Sequence, residues 1–119
     1  MPGAPRKDER FPKWVRLTKR SEFLRVQESG FKVWSGPFVA LALKNETGVT
    51  RLGITVSTKV GNSVARSRLR RRLRELFRKR LADLPAGFDL VIVARPLAKE
   101  APWTELSSGF DEVARKLQR

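Results

Sequence analysis

The sequence predicts an α+β fold in which helices cover a mixed β-sheet, with elements in the order α-β-β-β-α-β-α. Three segments repeat apolar residues at helical spacing, and four segments of strand length are rich in apolar and β-branched residues. The chain has 119 residues and shows no internal repeat, low-complexity tract or linker. We therefore expect residues 1–119 to form a single domain around one core. Residues 1–12 are polar, with three prolines and mixed charge, and are expected to form a mobile tail.

The first helix is predicted over residues 18–29. Thr18 or Ser21 can cap its start, and Glu22 lies in its first turns. Gly30 follows the last helical residue and is expected to end the helix.

Three strands are predicted to follow the first helix. Residues 31–44 are extended in character, but Gly36 and Pro37 interrupt them, which predicts a short strand, a bend and a longer strand. Residues 45–50 are predicted to form a hairpin turn. The next strand alternates two sets of side chains, with Leu52, Ile54 and Val56 toward the core and Gly53, Thr55 and Ser57 on the other face. The second, small and polar set forms either a solvated face or the floor of a groove.

The last strand and the last helix complete the predicted core. Residues 88–94 are apolar at nearly every position, which indicates a strand covered on both faces. The helix is predicted by an apolar stripe of Trp103, Leu106, Phe110, Val113, Ala114 and Leu117. Solvated positions in turns or on helix surfaces are expected for the acidic residues Asp83, Asp89, Asp111 and Glu112.

The most basic part of the chain is predicted to be a helix that begins near residue 62 or 63. From Lys59 to Arg80 it carries ten basic residues and one acid, so its net charge is +9 of the chain's +14. Gly61 permits a turn, and Asn62 or Ser63 can accept hydrogen bonds from the first free backbone N–H groups. One side of the helix carries the apolar residues Ala65, Leu69, Leu73, Leu76 and Phe77. The opposite side carries Arg68, Arg71, Arg74 and Arg78.

Such a helix is either a solvated basic face or a surface that binds a polyanion. Like charges at i, i+4 repel each other, and a surface selected for stability would intersperse glutamates, so the charge favours a polyanionic partner. Arg66 projects beside the apolar stripe, where burial of its charge is costly, and we expect it to reach toward that partner. The free N–H groups at the helix start suit a phosphate. Residues 6–25 form a second basic region with a net charge of +5.

Residues 59–75, K-V-G-N-S-V-A-R-S-R-L-R-R-x-x-R-E, carry a family resemblance. They resemble the signature of the bacterial ribonuclease P protein, whose pattern is K-x-G-N-A-V-x-R-N-R-x-K-R-x-x-R-E. Ser67 stands where the family usually has Asn, and Arg70 stands in place of Lys. Two flanking segments also resemble the family, R-L-T-K-R-S-E-F-L-R-V its first helix and F-D-L-V-I-V-A-R-P its last strand. The resemblance therefore covers nearly the whole chain.

The resemblance implies both a fold and a function. The fold is a four-stranded sheet with a left-handed β-α-β crossover, similar to a ribosomal-protein domain, although the general rule favours the right hand. The function is that of a protein subunit whose partner RNA hydrolyses precursor tRNA to remove its 5′ leader. On this basis the chain alone binds no cofactor, and Mg²⁺ is held mainly by the RNA. Contacts with the catalytic RNA are implied for Lys59, Asn62, Arg66, Ser67, Arg68, Arg70, Arg71 and Arg74.

The resemblance also implies a cleft between the first helix and the sheet that holds the single-stranded leader. Bases stack on aromatic rings while the backbone follows positive charge. The residues expected in this cleft are Arg16, Lys19, Phe23, Thr55 and Ser57. Gln27 and Leu41 stand where many relatives carry aromatics, so stacking should be weaker here and more weight should fall on the charged and small polar residues. The alternative is that Phe23 only packs the first helix on the sheet.

The composition argues against catalysis by side chains. The chain has no cysteine and no histidine, which removes disulfides, thiolate chemistry and the commonest general base and metal ligand. It also lacks a zinc-site or phosphate-loop motif. The first 13 residues have no apolar core of signal-peptide type, and the apolar runs are only of strand length. We therefore expect a cytoplasmic protein that neither binds nor spans a membrane.

Two other classes of protein share parts of this pattern. A helix-turn-helix DNA-binding protein would offer Asn or Gln to base edges, whereas this helix offers almost only arginine, which suits phosphates. DNA is therefore not an expected partner. A small basic ribosomal protein that binds rRNA remains the alternative, and the ordered set of motifs favours the ribonuclease P protein over it. We expect a monomer in a one-to-one complex with the catalytic RNA, with precursor tRNA as the second partner.

Overall fold

The computed structural model describes residues 16–17 and 19–118, and its elements follow the predicted order. The elements are α1 Arg20–Ser29, β1 Phe31–Trp34, β2 Phe38–Lys44, β3 Arg51–Thr55, α2 Ser63–Arg80, β4 Phe88–Ala94 and α3 Trp103–Leu117. Short 3₁₀ turns cover Leu81–Asp83 and Pro96–Glu100. The expected mobile tail and Thr18, one of the two predicted caps, lie outside the described residues, whereas Ser21, the other predicted cap, lies inside α1 and Lys19 takes the cap position.

The four strands form one mixed sheet in the order β1-β2-β4-β3. β1 and β2 are antiparallel, β2 and β4 are antiparallel, and β3 and β4 are parallel. The hairpin predicted for residues 45–50 is therefore wrong, because β4 lies between β2 and β3. Residues 45–50 instead pass around the start of β4, where the Asn45 N–H donates to the Gly87 carbonyl at 2.7 Å and the Thr50 hydroxyl donates to the Pro85 carbonyl at 2.6 Å.

Strand β4 takes the central place because both of its faces are apolar. Leu90 and Ile92 are fully buried in a core with α2 and α3, and Val91 is fully buried on the opposite face in a second core with α1. A strand that buries both faces gains the most apolar contact between two other strands. The chain from β3 through α2 to β4 forms a parallel β-α-β unit, and the left hand implied for it stays a prediction.

The two cores hold the helices on opposite faces of the sheet. The α2 and α3 core contains three fully buried aromatic rings, with Phe77 and Phe110 in edge contact at 4.8 Å between ring centroids and Phe38 beside them. The α1 core is smaller and contains Leu17, Val26, Leu41 and Val91, with Phe23, Leu43 and Val93 packed against it.

Trp103 departs from its predicted place in the core. The other residues of the α3 stripe are buried, but Trp103 is the first residue of the helix and 40% of its surface is exposed. A helix end lies at the margin of the packed region, so helical spacing alone did not distinguish it from the buried positions.

Asp89 also departs from its predicted solvated position, because it lies within β4 with none of its surface exposed. Its Oδ1 accepts hydrogen bonds from the Arg51 Nε at 2.9 Å and the Asn45 Nδ2 at 2.7 Å. Its Oδ2 accepts from further guanidinium nitrogens of Arg51 at 2.9 Å and of Arg25 at 3.3 Å. Arg51 also contacts the carboxylate of Glu22 at 3.1 Å. This set of side chains, the Asp89 network, joins α1, β3, β4 and the turn after β2.

The Asp89 network sets the charge state of its central carboxyl. Burial alone would raise the pKa of Asp89, but hydrogen bonds from Arg51 and Asn45, the charge of Arg51 and the hydrogen bond from Arg25 hold that pKa below its ordinary value. The ionised form is therefore favoured by folding. Its contribution to stability is fully present above a pH of about 4, the ordinary range of an aspartate, and is lost as pH falls through the lowered folded pKa.

We predict that Asp89→Asn lowers the free energy of unfolding by about 3–5 kcal/mol at neutral pH, because it removes the buried carboxylate that Arg51 meets with two hydrogen bonds. Denaturant unfolding followed by circular dichroism measures this loss. The difference from the unsubstituted protein should shrink below a pH of about 4, since only the unsubstituted protein then loses a charged contact. Asp83→Asn is the control, because Asp83 is exposed and pairs only loosely with Arg80, at 3.4 Å. Equal losses for the two variants, or a difference independent of pH, would contradict the role of the buried charge.

Candidate nucleic-acid interface

The basic helix α2 starts at a side-chain cap. The Asn62 Oδ1 accepts a hydrogen bond from the Ala65 N–H at 2.9 Å, and the Arg66 N–H donates to the Asn62 carbonyl at 2.9 Å. The helix thus begins at Ser63, which confirms the predicted start. The cap uses the side-chain oxygen of Asn62, which is exposed, so its NH₂ group remains as a donor suited to an anion.

The apolar stripe of α2 fixes which side of the helix faces outward. Leu69, Leu73, Leu76 and Phe77 are buried to 2% exposure or less against the sheet and α3, as predicted, and Ala65 is half-buried. Four residues on the other side are exposed to solvent, namely Ser67, Arg68, Arg71 and Arg74. We call these four residues the exposed row. No ion pair joins its arginines to a carboxylate in the part of the chain that the structure describes.

Three other arginines of α2 are used inside the protein. Arg72 donates to the Ala101 carbonyl at 3.0 Å, which ties the helix to the turn before α3. Arg80 pairs with Asp83 and Asp111 and lies 4.4 Å from the centroid of the Phe110 ring. Arg78 departs from the prediction that places it with the outward arginines, because its side chain is only 16% exposed and pairs with Glu75. Charge spacing in the sequence does not separate these arginines from the exposed row.

The remaining residues expected to contact the catalytic RNA lie around the helix start. Lys59 is exposed in the turn before the helix, and Arg70 is half-buried. Arg66 is also half-buried, and its Nε atom is buried without a hydrogen-bond partner among the described residues. A buried donor without an acceptor costs free energy, so an acceptor brought by a partner would stabilise this side chain. The sequence predicted that Arg66 reaches outward, whereas the structure leaves its Nε atom buried, and its contact with a partner stays a prediction.

A cleft of about 160 Å³ lies at the outer edge of β3, between α1 and the basic helix. The edge of β3 pairs there with the segment before α1, where the Leu17 N–H donates to the Leu52 carbonyl at 2.9 Å. The cleft is lined by Arg16, Leu17, Phe23, Leu52, Gly53, Ile54 and Arg74. It therefore combines an aromatic ring with cations from two different elements.

The ring of Phe23 lies directly on Gly53. A Cβ atom at residue 53 would stand 2.5 Å from the ring, so the strand admits the ring only because this residue is glycine. Phe23 is half-buried and packs against the α1 core, which leaves part of the ring facing the cleft. The Nε atom of Arg16 is buried without a hydrogen-bond partner among the described residues.

The structure brings together only some of the residues expected at the leader cleft. Arg16 and Phe23 line it, whereas Lys19, Thr55 and Ser57 do not. Lys19 is exposed just before α1, and its N–H donates to the Glu22 carboxylate at 3.1 Å. Thr55 ends β3 half-exposed, and the exposed Ser57 accepts a hydrogen bond from the Lys59 N–H at 3.2 Å. Arg74 lines the cleft although the sequence assigned it only to the catalytic RNA. No motif pointed to this second position, which depends on the packing of α2 beside β3.

Two residues were predicted to stand where many relatives carry aromatics, and their surroundings differ. Gln27 is exposed on α1, whereas Leu41 is 6% exposed within the α1 core.

Among the described residues, no group of three or more acidic side chains is placed to hold a metal ion. Within the same residues, no helix is both long and apolar enough to span a membrane.

Comparisons with known proteins agree with this arrangement. A sequence profile of the family described as Ribonuclease P matches residues 11–118. The chain is 37% identical over 109 residues to the ribonuclease P protein component of Desulforapulum autotrophicum, covering 92% of this chain and 93% of that protein. It is 40% identical over 110 residues to that of Citrifermentans bemidjiense, covering 89% and 94%.

Solved structures show the same fold. The chain is similar to the RNase P protein of Staphylococcus aureus, with a TM-score of 0.76, 29% identity and coverage of 88% of this chain and 95% of that one. It is also similar to the RNase P protein of Thermotoga maritima, with a TM-score of 0.78, 30% identity and coverage of 85% and 96%. The profile match over nearly all of the chain, together with these relatives, shows that this chain belongs to the ribonuclease P protein family.

Proposed function

We propose that this chain is the protein subunit of ribonuclease P and binds the catalytic RNA through the outward side of α2. The observation that carries the proposal is the exposed row, whose arginines have no carboxylate partner among the described residues. Guanidinium groups without protein partners suit the phosphates of a nucleic acid backbone. Lys59, Asn62, Arg66 and Arg70 extend the same surface toward the helix start.

The cleft beside β3 is the proposed site of the 5′ leader of precursor tRNA. Single-stranded nucleotides bind where an aromatic ring accepts a base and cations accept the backbone. Phe23 supplies the ring, and Arg16 and Arg74 supply the cations. Lys19, Thr55 and Ser57 lie outside the walls of the cleft and would meet the leader only where it leaves the cleft. Arg74 lies on both surfaces, so it links the leader to the catalytic RNA.

Hydrolysis in this proposal is carried out by the RNA with Mg²⁺, which the RNA mainly holds. The chain supplies binding and orientation, since its sequence contains no histidine or cysteine and the carboxylates of Asp89 and Asp111 are engaged with arginines. We propose a monomer in a one-to-one complex with the RNA, acting in the cytoplasm. The alternative of a ribosomal protein is not favoured, because the family match covers residues 11–118.

Reconstitution tests the proposed function. The purified chain is mixed with the ribonuclease P RNA of the same organism, and cleavage of precursor tRNA is measured at a low Mg²⁺ concentration. We expect the chain to make cleavage efficient under conditions in which the RNA alone is slow, and we expect the chain alone to cleave nothing. No improvement with the chain present would reject the proposal.

We predict that binding to the catalytic RNA is governed by phosphate contacts and weakens steeply with salt. Each neutralised phosphate adds about 0.7–0.9 to the slope of log affinity against log salt. Arg68→Ala should lower that slope by about one contact and weaken binding by about 1–3 kcal/mol. Filter binding over a salt series measures both quantities. Arg115→Ala is the control, because Arg115 is also exposed but pairs with Glu112 on α3. A flat salt dependence, or equal effects of the two substitutions, would contradict this prediction.

A second prediction concerns Ser67, the member of the exposed row that replaces an Asn of the family pattern. Asn offers two donors and one acceptor on a longer side chain, whereas Ser offers one hydroxyl. Ser67→Asn should therefore bind the catalytic RNA equally well or more tightly in the same filter-binding assay. A large loss of affinity would show that the geometry around residue 67 differs from that of the family.

A third prediction separates the two roles of Phe23. If circular dichroism shows that the fold survives, Phe23→Ala should weaken holoenzyme binding of precursor tRNA with a leader and change binding of mature tRNA little, because only the leader reaches the cleft. Leu24→Ala is the control, since Leu24 is the next residue of α1 and is exposed outside the cleft. Equal losses for both forms of tRNA would assign Phe23 to packing alone.

A further inference from the structure

A second, smaller pocket lies beside the basic helix, at the end of the sheet where β4 leads into the Pro96–Glu100 turn. Its volume is about 130 Å³, and it is lined by Ala65, Arg68, Leu69, Arg72, Lys99 and Glu100. Three of these side chains are cationic and one is acidic. Two of the cations come from α2, whereas Lys99 comes from a segment that lies outside the motif of residues 59–75.

The turn that carries Lys99 is anchored firmly. Ala98 is fully buried, its N–H donates to the Arg95 carbonyl at 2.8 Å, and Ala101 after the turn is also buried. Lys99 itself is exposed, and its Cδ and Cε atoms lie 3.6 Å from the place that a Cβ atom would occupy at Gly61. The aliphatic part of Lys99 thus lies within van der Waals reach of the loop that starts α2.

The two arginines of the pocket differ in how firmly they are held. Arg72 is fixed by its hydrogen bond to the Ala101 carbonyl at 3.0 Å, which uses one of its five donors. Arg68 is exposed, and the described residues give neither Arg68 nor Lys99 an ion-pair partner. Arg68 and Arg72 are four residues apart on one helix, so their charges repel each other. An anion in the pocket would attract both guanidinium groups and so offset their mutual repulsion.

We propose that this pocket binds one phosphate group of an RNA backbone and that Lys99 is an RNA-binding residue outside the basic helix. The inference rests on the proposed function, because Arg68 belongs both to the pocket and to the exposed row. The pocket is too small for a nucleoside but lies against a surface that a backbone would follow from Arg68 to Arg71 and Arg74. A phosphodiester fits this position because one anionic group can meet Arg68, Arg72 and Lys99 together.

The phosphate belongs either to the catalytic RNA or to precursor tRNA, and two arms of one experiment separate these sources. The first arm measures binding of the chain to ribonuclease P RNA over a salt series, and the second measures binding of precursor tRNA to the assembled holoenzyme. Lys99→Ala should weaken binding several-fold and lower the salt slope by about 0.7–0.9 in one arm. A loss in the first arm identifies the catalytic RNA as the source, and a loss only in the second identifies precursor tRNA.

Lys44→Ala is the matched control, because Lys44 is an exposed lysine at the end of β2 that pairs with the start of β4, whereas Lys99 follows the end of β4. It removes the same charge at the opposite end of the sheet and should leave the salt slope unchanged. Lys99→Ala combined with Arg68→Ala should cost less than the sum of the two single losses, since both residues meet one phosphate.

Glu100→Gln gives a test in the opposite direction. Glu100 lines the pocket and opposes an anion there, so its neutralisation should tighten binding in the arm in which Lys99→Ala weakens it. A loss of folding cannot produce a gain of affinity. The inference is overturned if Lys99→Ala behaves like Lys44→Ala in both arms while the unsubstituted chain binds RNA with a steep salt dependence. An unsubstituted chain that binds no RNA would instead overturn the proposed function.

Discussion

The carboxylate of Asp89 lies in the central strand with none of its surface exposed, and a charge in that position requires donors on every side. Arg51 of the neighbouring strand gives it two hydrogen bonds, Asn45 gives one from the turn after β2, and Arg25 reaches it from α1. Arg51 also contacts Glu22, so α1 is held to the sheet at two places. The wall that α1 gives to the cleft beside β3 depends on this buried charge.

The same principle divides the arginines of α2 into two groups. Arg72 and Arg80 meet a carbonyl or carboxylates inside the fold and hold the helix against α3 and the turn before it. The exposed row has no such partners among the described residues, and a chain with a net charge of +14 pays for it in repulsion between like charges. A backbone of phosphates bound along this side of α2, as proposed above, would remove that repulsion. Arg72 and Arg80 hold α2 in the orientation that turns the exposed row toward solvent.

Local patterns predicted most of the elements, because periodicity and capping act over a few residues. The start of α2 followed from Asn62, and the bend between β1 and β2 followed from Gly36 and Pro37, which a strand interior does not accept. Two errors arose where a distant segment decides the outcome. Residues 45–50 were predicted as a hairpin because the sequence does not show that β4 lies between the two flanking strands. Asp89 was predicted to be solvated because the sequence does not show that Arg51 lies beside it.

The candidate site divides in the same way between local and distant causes. The outward positions of Arg68 and Arg71 follow from the helical period, so the sequence could predict them. The structural use of Arg72 requires the position of Ala101, and the place of Arg74 in the cleft requires the packing of α2 beside β3. Neither fact has a local signal. The family resemblance predicted a cleft between α1 and the sheet. It did not show which of the named residues line the cleft that the structure contains.

The cleft lies beside β3, which ends the strand order of the sheet. In the order β1-β2-β4-β3, the outer edge of β3 is met only by the short pairing at Arg16 and Leu17 among the described residues. An open edge is a hazard in most proteins, since it invites pairing with other chains. Beside this edge, the ring of Phe23 lies on one face of β3 over Gly53, where a Cβ atom would stand only 2.5 Å from the ring. The ring is half-buried, so the contact that fixes α1 on the sheet also presents an aromatic surface beside two cations. The same side chain therefore packs α1 on the sheet and lines the cleft, and Gly53 is the residue that permits both.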